Sequence, residues 1–222
     1  PTILRAYDIR GIYQNTLTEI DAHALGMTFM ACLRQRCKGN RVVVGQDGRL
    51  SSPSLASALI EGLIHGGGNV IDIGCGPTPM LYFAGIKLNC NGAIQVTGSH
   101  NPPSHNGFKM VMNGKSFFGD DIQLLGIISK AGVDKIDGGS VTEISVFDDY
   151  INRLLQQANA GDLSVVWDCG NGAAGPATKA LTQKLSGTHQ VLFSNIDGNF
   201  PNHHPNPVDP KTLDLLRISV AS

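Results

Sequence analysis

No window of about 18 apolar residues free of charge occurs in the 222-residue sequence, so no membrane-spanning helix is encoded. The N-terminus, Pro1-Thr2-Ile3-Leu4-Arg5, lacks the basic region and apolar stretch of a secretion signal. Excess charge of either sign is missing as well. Lys plus Arg number 17 against 18 Asp plus Glu, a formal charge of −1, which excludes the global positive field that would attract nucleic acid or anionic lipid. Any anion site must therefore be local. No C-x-x-C pair exists among Cys32, Cys37, Cys75, Cys90 and Cys169. Their odd number forbids a complete internal disulfide set, so reduced thiols and a cytoplasmic location are expected. Aromatic residues reach only 6%.

What is present is a globular composition, 41% hydrophobic and 16% charged, with enough length for one large domain or one complete domain plus part of another. The 27 glycines are about 12% of the chain against a usual figure near 7%, so turns are frequent.

Apolar Ile20, Ala24, Met27 and Ala31 recur at helical spacing behind Thr18 and Asp21, predicting a helix over about 18–37. Val42-Val43-Val44, bounded by Asn40 and Gly45, predicts a buried strand. Ser52-Pro53 reads as N-cap and first position of a helix ending at His65, before Gly66-Gly67-Gly68. A strand at 70–73, a helix from Pro79 to about Leu88 and strands at 93–96 and 108–112 follow. The loop from Thr97 to Gly107 is too short for a crossover helix, which makes the last two strands antiparallel neighbours. A helix over 120–130 and an extended segment over 141–146 complete the first unit. The second has a helix over 148–159, a strand at 165–167, a helix over 176–185 and a strand at 191–193. A Pro-rich irregular stretch over 197–210 follows it, then a helix from about Thr212. The expected fold class is α/β: layered mixed sheets flanked by helices, with one complete domain over 1–145 and part of a second, of similar architecture, over 146–222.

Open α/β sheets place ligands at the carboxyl ends of strands. The loop Thr97-Gly98-Ser99-His100-Asn101-Pro102-Pro103-Ser104-His105-Asn106-Gly107 leaves the 93–96 strand there. Gly98 permits close backbone approach, Ser99 offers a hydroxyl able to carry an acyl or phosphoryl group, and His100 and Lys109 supply donors and positive charge. These residue types suit an anion site, and equally a polar turn that changes direction at Asn101-Pro102 and Asn106-Gly107. A serine hydrolase is disfavoured, because G-x-S-x-G would need glycine where Asn101 stands. Gly170-Asn171-Gly172-Ala173-Ala174-Gly175 matches G-x-G-x-x-G with Asp197 at a suitable distance, leaving a dinucleotide site as a rival; Pro176 and Ala177 exclude a Walker A loop. Adjacent His203 and His204 without a spaced partner are a weak metal signal.

Thr97 to Pro102 resembles the phosphoserine loop of the α-D-phosphohexomutases. In the same order, similar segments occur at Arg5–Gly11, Val44–Arg49, Gly76–Pro79, Asp168–Gly172 and Asp197–Pro201, spanning nearly the whole chain. The resemblance is greatest to the bacterial dual-specificity phosphomannomutase/phosphoglucomutase group. It implies a reaction in which Ser99, stored as phosphoserine, donates its phosphoryl group to a hexose phosphate and recovers one from the bisphosphorylated sugar. That would interconvert hexose 1- and 6-phosphates of mannose, glucose or both. Glucose 1,6-bisphosphate is the implied activator and Mg²⁺ the implied cofactor, with Ser99 contributing a phosphate oxygen. It also implies roles near the transferring group for Arg10, His100 and Lys109, left unranked, with Tyr7 lining the substrate pocket. Gln46 stands where the family often has arginine, and Arg49 is expected as a structural ion-pair partner. The family's D-G-D-x-D metal loop is missing from residues 1–222. The chain is thus expected to be an N-terminal fragment, inactive alone, with the remaining metal ligands beyond residue 222. Hexose phosphates are the expected partners, neither nucleic acid nor membrane is, and the oligomeric state is left open. A non-catalytic sugar-phosphate binding module is the alternative.

Overall fold

The computed structural model describes residues 3–158 and 161–221. Its centre is a mixed sheet. Three strands, β2 (Arg41–Gln46), β3 (Asn69–Cys75) and β4 (Gly92–Val96), run parallel, and β7 (Ser140–Glu143) extends them beyond β3. On the other side β5 (His105–Met112) is antiparallel to β4, and its free edge is shared by β1 (Ile9–Ile12) and β6 (Lys115–Phe117). The main order is β1-β5-β4-β2-β3-β7. Only residues 97–104 separate β4 from β5, too few for a crossover helix, so the direction reverses there.

Side chains alternate across the sheet. Val42 and Val44 join a core made with α1 (Glu19–Arg36), α2 (Ser52–His65) and α4 (Asp120–Ala131), centred on Phe29, Leu59 and Leu125. Val43 faces the opposite layer, where Leu81 of α3 (Thr78–Lys87) and Ile151 of α5 (Phe147–Leu155) pack. A second unit pairs β8 (Ser164–Asp168) in parallel with β9 (Thr188–Leu192) through α6 (Gly175–Thr182). Ala177 of α6 belongs to the same core as Val43, which seats the second unit on the first. After β9 the chain runs without regular structure to a 3-10 turn at Pro210–Leu213 and α7 (Asp214–Ala221).

The layered, mixed-sheet α/β architecture matches the sequence expectation. Helix α1 starts where Thr18 and Asp21 predict: Thr18 Oγ1 accepts from the Asp21 amide while Asp21 Oδ2 accepts from the Thr18 amide. Other boundaries move for identifiable reasons. The N-cap position of α2 is Ser51, not Ser52, and Pro53 sits one position further in; neither hydroxyl caps the helix, since Ser52 Oγ donates to Asp47 and Ser51 Oγ accepts from Asn106 of β5. The strand expected at 108–112 begins at His105, since β1 pairs with residues 105–108. The expected helix over 148–159 is realised as α5, and Asn159 lies outside the described residues.

Helices α1 and α2 touch backbone to backbone. A Cβ on Gly26 would meet Leu59 O at 2.5 Å and Leu63 N at 2.6 Å. Helix propensity alone would favour Gly26→Ala by roughly 1 kcal/mol, but overpacking against an immovable backbone costs about 1–3 kcal/mol. We expect a net loss of up to about 2 kcal/mol, read as a lower urea midpoint at unchanged slope; a stabilised variant would contradict this packing.

Candidate functional site

The parallel strands all end at one rim of the sheet, and Asp47 stands there as the first residue past β2, its amide bonded to Val96 O. Its carboxylate collects five donors. Oδ1 accepts from the Arg49 amide (3.0 Å) and Ser52 Oγ (2.5 Å). Oδ2 accepts from Thr97 Oγ1 (2.7 Å), the Gly98 amide (3.2 Å) and Arg49 Nε (3.2 Å). Asp47 thus ties β2, α2 and the loop leaving β4 to one point.

Arg49 is 1% exposed, and every guanidinium donor is used. Besides Nε on Asp47, Nη1 donates to Pro102 O (2.6 Å) and His105 O (3.0 Å), and Nη2 to Ser99 O (2.8 Å) and Asn101 O (2.7 Å). Four carbonyls of the Ser99 loop therefore converge on one cation. The face of the guanidinium is covered by the Phe200 ring, 5.2 Å from its centroid, a cation–π contact reaching across from the second unit. Burial pulls the Arg49 pKa below its ordinary value, and Asp47 opposes that shift. A Cβ on Gly98 would run into this guanidinium, so glycine is required there.

Held in this way, Ser99 adopts φ +55°, with its amide donating to Thr97 Oγ1 (2.9 Å). A left-handed non-glycine residue is a strain that surrounding contacts must impose. Ser99 opens onto a cavity of about 430 Å³ between the two units. Thr78 at the start of α3 and Ala174 at the start of α6 line it, so two helix N-termini give it positive polarity.

His203 also lines this cavity. Its Nε2 lies 3.0 Å from both Asp168 oxygens and its Nδ1 3.0 Å from His204 O. All three partners are acceptors, so both ring nitrogens donate and the imidazolium is favoured. Burial draws the His203 pKa down, but the His204 carbonyl and the Asp168 carboxylate more than offset it, leaving it above the ordinary value.

The other predicted site residues are dispersed around this centre. His100 is exposed, its Nδ1 3.5 Å from Ser99 Oγ. Arg10, on β1, pairs with Asp8 and lines an adjoining groove of about 280 Å³ with Arg5, Asn101 and His105. Its Nε is buried without a hydrogen-bond partner among the described residues. Lys109, on β5 opposite Gln95, is half-buried and lines neither space. Tyr7 is 80% exposed and stacks on Phe118. Sequence reasoning discounted His203, whose carboxylate partner lies 35 residues away, and gave no role to Phe200, whose cation partner is in the other unit. In the rival glycine motif the amides of Asn171, Gly172 and Gly175 all bond within the turn or to Phe193. Asp197 caps Asn199. The motif is a tight strand-to-helix turn with no free phosphate cradle at those amides.

Two outcomes follow from these contacts. Arg49→Lys supplies three donors in place of five, so we expect a loss of about 2–4 kcal/mol and faster amide exchange over residues 98–105; unchanged exchange there would refute the anchoring role. Because the folded His203 pKa is raised, its contribution is full below the ordinary histidine value near 6.5 and is lost as pH rises through the folded value. His203→Gln is accordingly expected to cost about 1–3 kcal/mol at pH 5.5 and less at pH 9, measured by denaturant unfolding at both.

The family model described as phosphoglucomutase/phosphomannomutase, alpha/beta/alpha domain I, matches residues 1–143, and that of domain II matches residues 148–222. The chain is 41% identical over 221 residues to a phosphomannomutase/phosphoglucomutase of Pseudomonas putida, covering 99% of this chain and 47% of that protein. A phosphoglucomutase of Neisseria meningitidis serogroup B is 41% identical, over 96% of this chain and 47% of its own length. The crystal structure of a phosphoglucomutase/phosphomannomutase family protein from Burkholderia thailandensis superposes with a TM-score of 0.93 at 40% identity, covering all of this chain and 50% of that one. The chain spans about half the length of the curated relatives it matches. With both domain models matched in order along the sequence, the chain belongs to the phosphoglucomutase/phosphomannomutase family.

Proposed function

We propose that this chain carries the phosphoserine of a phosphohexomutase that interconverts hexose 1-phosphate and hexose 6-phosphate of mannose, glucose or both. In this reading residues 1–145 form the domain bearing the phosphoserine loop and residues 146–222 belong to the next. The observation that carries it is Ser99 itself: a hydroxyl held at φ +55° by a fully bonded buried arginine, at the mouth of a cavity lined by two helix N-termini and the His203 cation. A phosphoserine brings about −1.5 to −2 charges, and this is where the chain offers compensating positive polarity.

The Oγ–P bond of phospho-Ser99 breaks as a sugar hydroxyl attacks phosphorus, and the proton that hydroxyl gives up is balanced by the one the departing serine oxygen takes on, leaving Ser99 as a free hydroxyl. His100, 3.5 Å from Oγ, is the titratable side chain placed to exchange a proton with the serine oxygen. The bisphosphorylated sugar turns round, and Ser99 Oγ then takes its other phosphoryl group, restoring the phosphoserine. Arg10 acts by its charge. It meets substrate from the adjoining groove; Lys109 and Tyr7 line neither space, so only the family resemblance supports them as further contacts. Phosphoryl transfer asks mainly for positioning and charge stabilisation.

Glucose 1,6-bisphosphate is the activator in this reading, hexose phosphates are the partners and the cytoplasm is the compartment. All five cysteines are free, and no described helix is long and apolar enough to cross a membrane. Mg²⁺ would add charge neutralisation at the Ser99 phosphate. The described residues do not by themselves fit it: Asp47 is saturated by five donors and Asp168 holds His203.

Incubating the intact protein with glucose 1,6-bisphosphate is expected to add one phosphate, mapped by peptide mass spectrometry to Ser99, and Ser99→Ala is expected to abolish mutase turnover with the fold intact. A phosphate elsewhere, or none, would favour a binding module that holds sugar phosphates without transfer.

A further inference from the structure

The helix pair α1–α2 carries a second cluster of chemistry-bearing side chains, at the opposite end of the sheet from Ser99. Helix α2 begins at Ser52 beside the phosphoserine loop and ends at His65. At 1.5 Å per residue that is about 20 Å of separation along the helix. His65 Nδ1 lies 2.9 Å from His23 Nε2 of α1, and Glu61, one turn before His65, has Oε1 4.0 Å from His65 Nε2. One donor atom from each of the three residues falls within 4.8 Å of the others, the only such group of three among the described residues. Neither the phosphoryl chemistry nor the cavity uses any of them.

We propose that His23 and His65 form a chelate for a divalent transition metal of the Ni²⁺, Cu²⁺ or Zn²⁺ class, with Glu61 as its anionic partner. The backbones that carry the two rings are already fixed. Gly62 packs against the His23 carbonyl, Gly26 against Leu59 and Leu63, and the His65 carbonyl accepts from the Ile136 amide at 2.9 Å. Little ordering is then left for the metal to impose. At metal–nitrogen distances of about 2.0–2.1 Å, two nitrogens 2.9 Å apart subtend roughly 90° at the ion. That angle suits square-planar or octahedral metals as the rings stand, and a tetrahedral ion after a small opening. The rings need only turn so that both lone pairs face the ion, and the imidazole now donating across the gap moves its proton to its other nitrogen. With Nδ1 of His65 on the metal, Nε2 faces Glu61, the carboxylate–imidazole–metal arrangement that fixes a ring and raises its basicity. Imidazole donors select this class of ion over Mg²⁺, which takes oxygen ligands. The site is therefore chemically distinct from any magnesium requirement of the mutase reaction.

Calorimetric titration of the intact protein with Ni²⁺ alone, in a non-thiol reductant, tests the assignment without reference to mutase activity. One equivalent is expected to bind and to raise the melting temperature. His23→Gln and, separately, His65→Gln are expected to weaken binding roughly tenfold or more, and Glu61→Gln by less, with each variant's metal-free melting temperature recorded to confirm folding. If one histidine variant does not fold, the other carries the same test. Absence of bound Ni²⁺, or binding of equal affinity in the folded histidine variants, would overturn the proposal and reduce the cluster to a hydrogen bond between two imidazoles.

Discussion

The buried guanidinium of Arg49 is the constraint on which the site depends. Leaving water costs a cation several kcal/mol unless every donor is matched, and here Asp47 and four loop carbonyls match all five. The loop is thereby pinned at Ser99, Asn101, Pro102 and His105, from both sides of its turn. A positive φ at Ser99 is tolerable in such a loop because backing out of it would unpair a buried charge. The same arginine lies under Phe200, so the second unit caps the residue that organises the first.

That geometry separates two kinds of positive charge. Arg49 is committed to structure, its hydrogen-bonding capacity exhausted before any ligand arrives. The polarity left for an anion comes from the N-termini of α3 and α6, the His203 cation, and Arg10 in the adjoining groove. His203 matters because its Asp168 partner sits at the end of β8 and its ring meets Phe193 edge-on. The charge is thus placed by the second sheet, as Ser99 is by the first. The cavity exists only where the two sheets' carboxyl rims face each other, as expected for ligand sites in open α/β architectures.

Much of this was legible in the sequence, and the rest has physical reasons for being hidden. Val42 to Val44 announced a buried central strand, and Thr18 with Asp21 announced the start of α1, because both signals are local. β1 escaped notice: its four residues, Ile9 to Ile12, contain Gly11 and are defined by pairing with β5 almost a hundred residues later. Ser52 looked like a capping residue, but its hydroxyl serves Asp47 and Asn106, contacts no local pattern encodes. Arg49 was foreseen as an ion-pair partner, while its hold on four carbonyls was not. His203 looked isolated because its carboxylate is distant in sequence. Ser99 and His100 do adjoin, but only tertiary packing decides that Arg10 faces a neighbouring groove and that Lys109 and Tyr7 stand apart from the cavity.

The central claim is that Ser99 passes its phosphoryl group to a sugar. The most direct measurement is a single-turnover experiment on the intact protein labelled with radioactive phosphate at Ser99, mixed rapidly with mannose 1-phosphate or glucose 1-phosphate. The account predicts that label leaves the protein and enters a hexose bisphosphate in the first turnover. Label that stays on Ser99, or leaves only as inorganic phosphate, would contradict it.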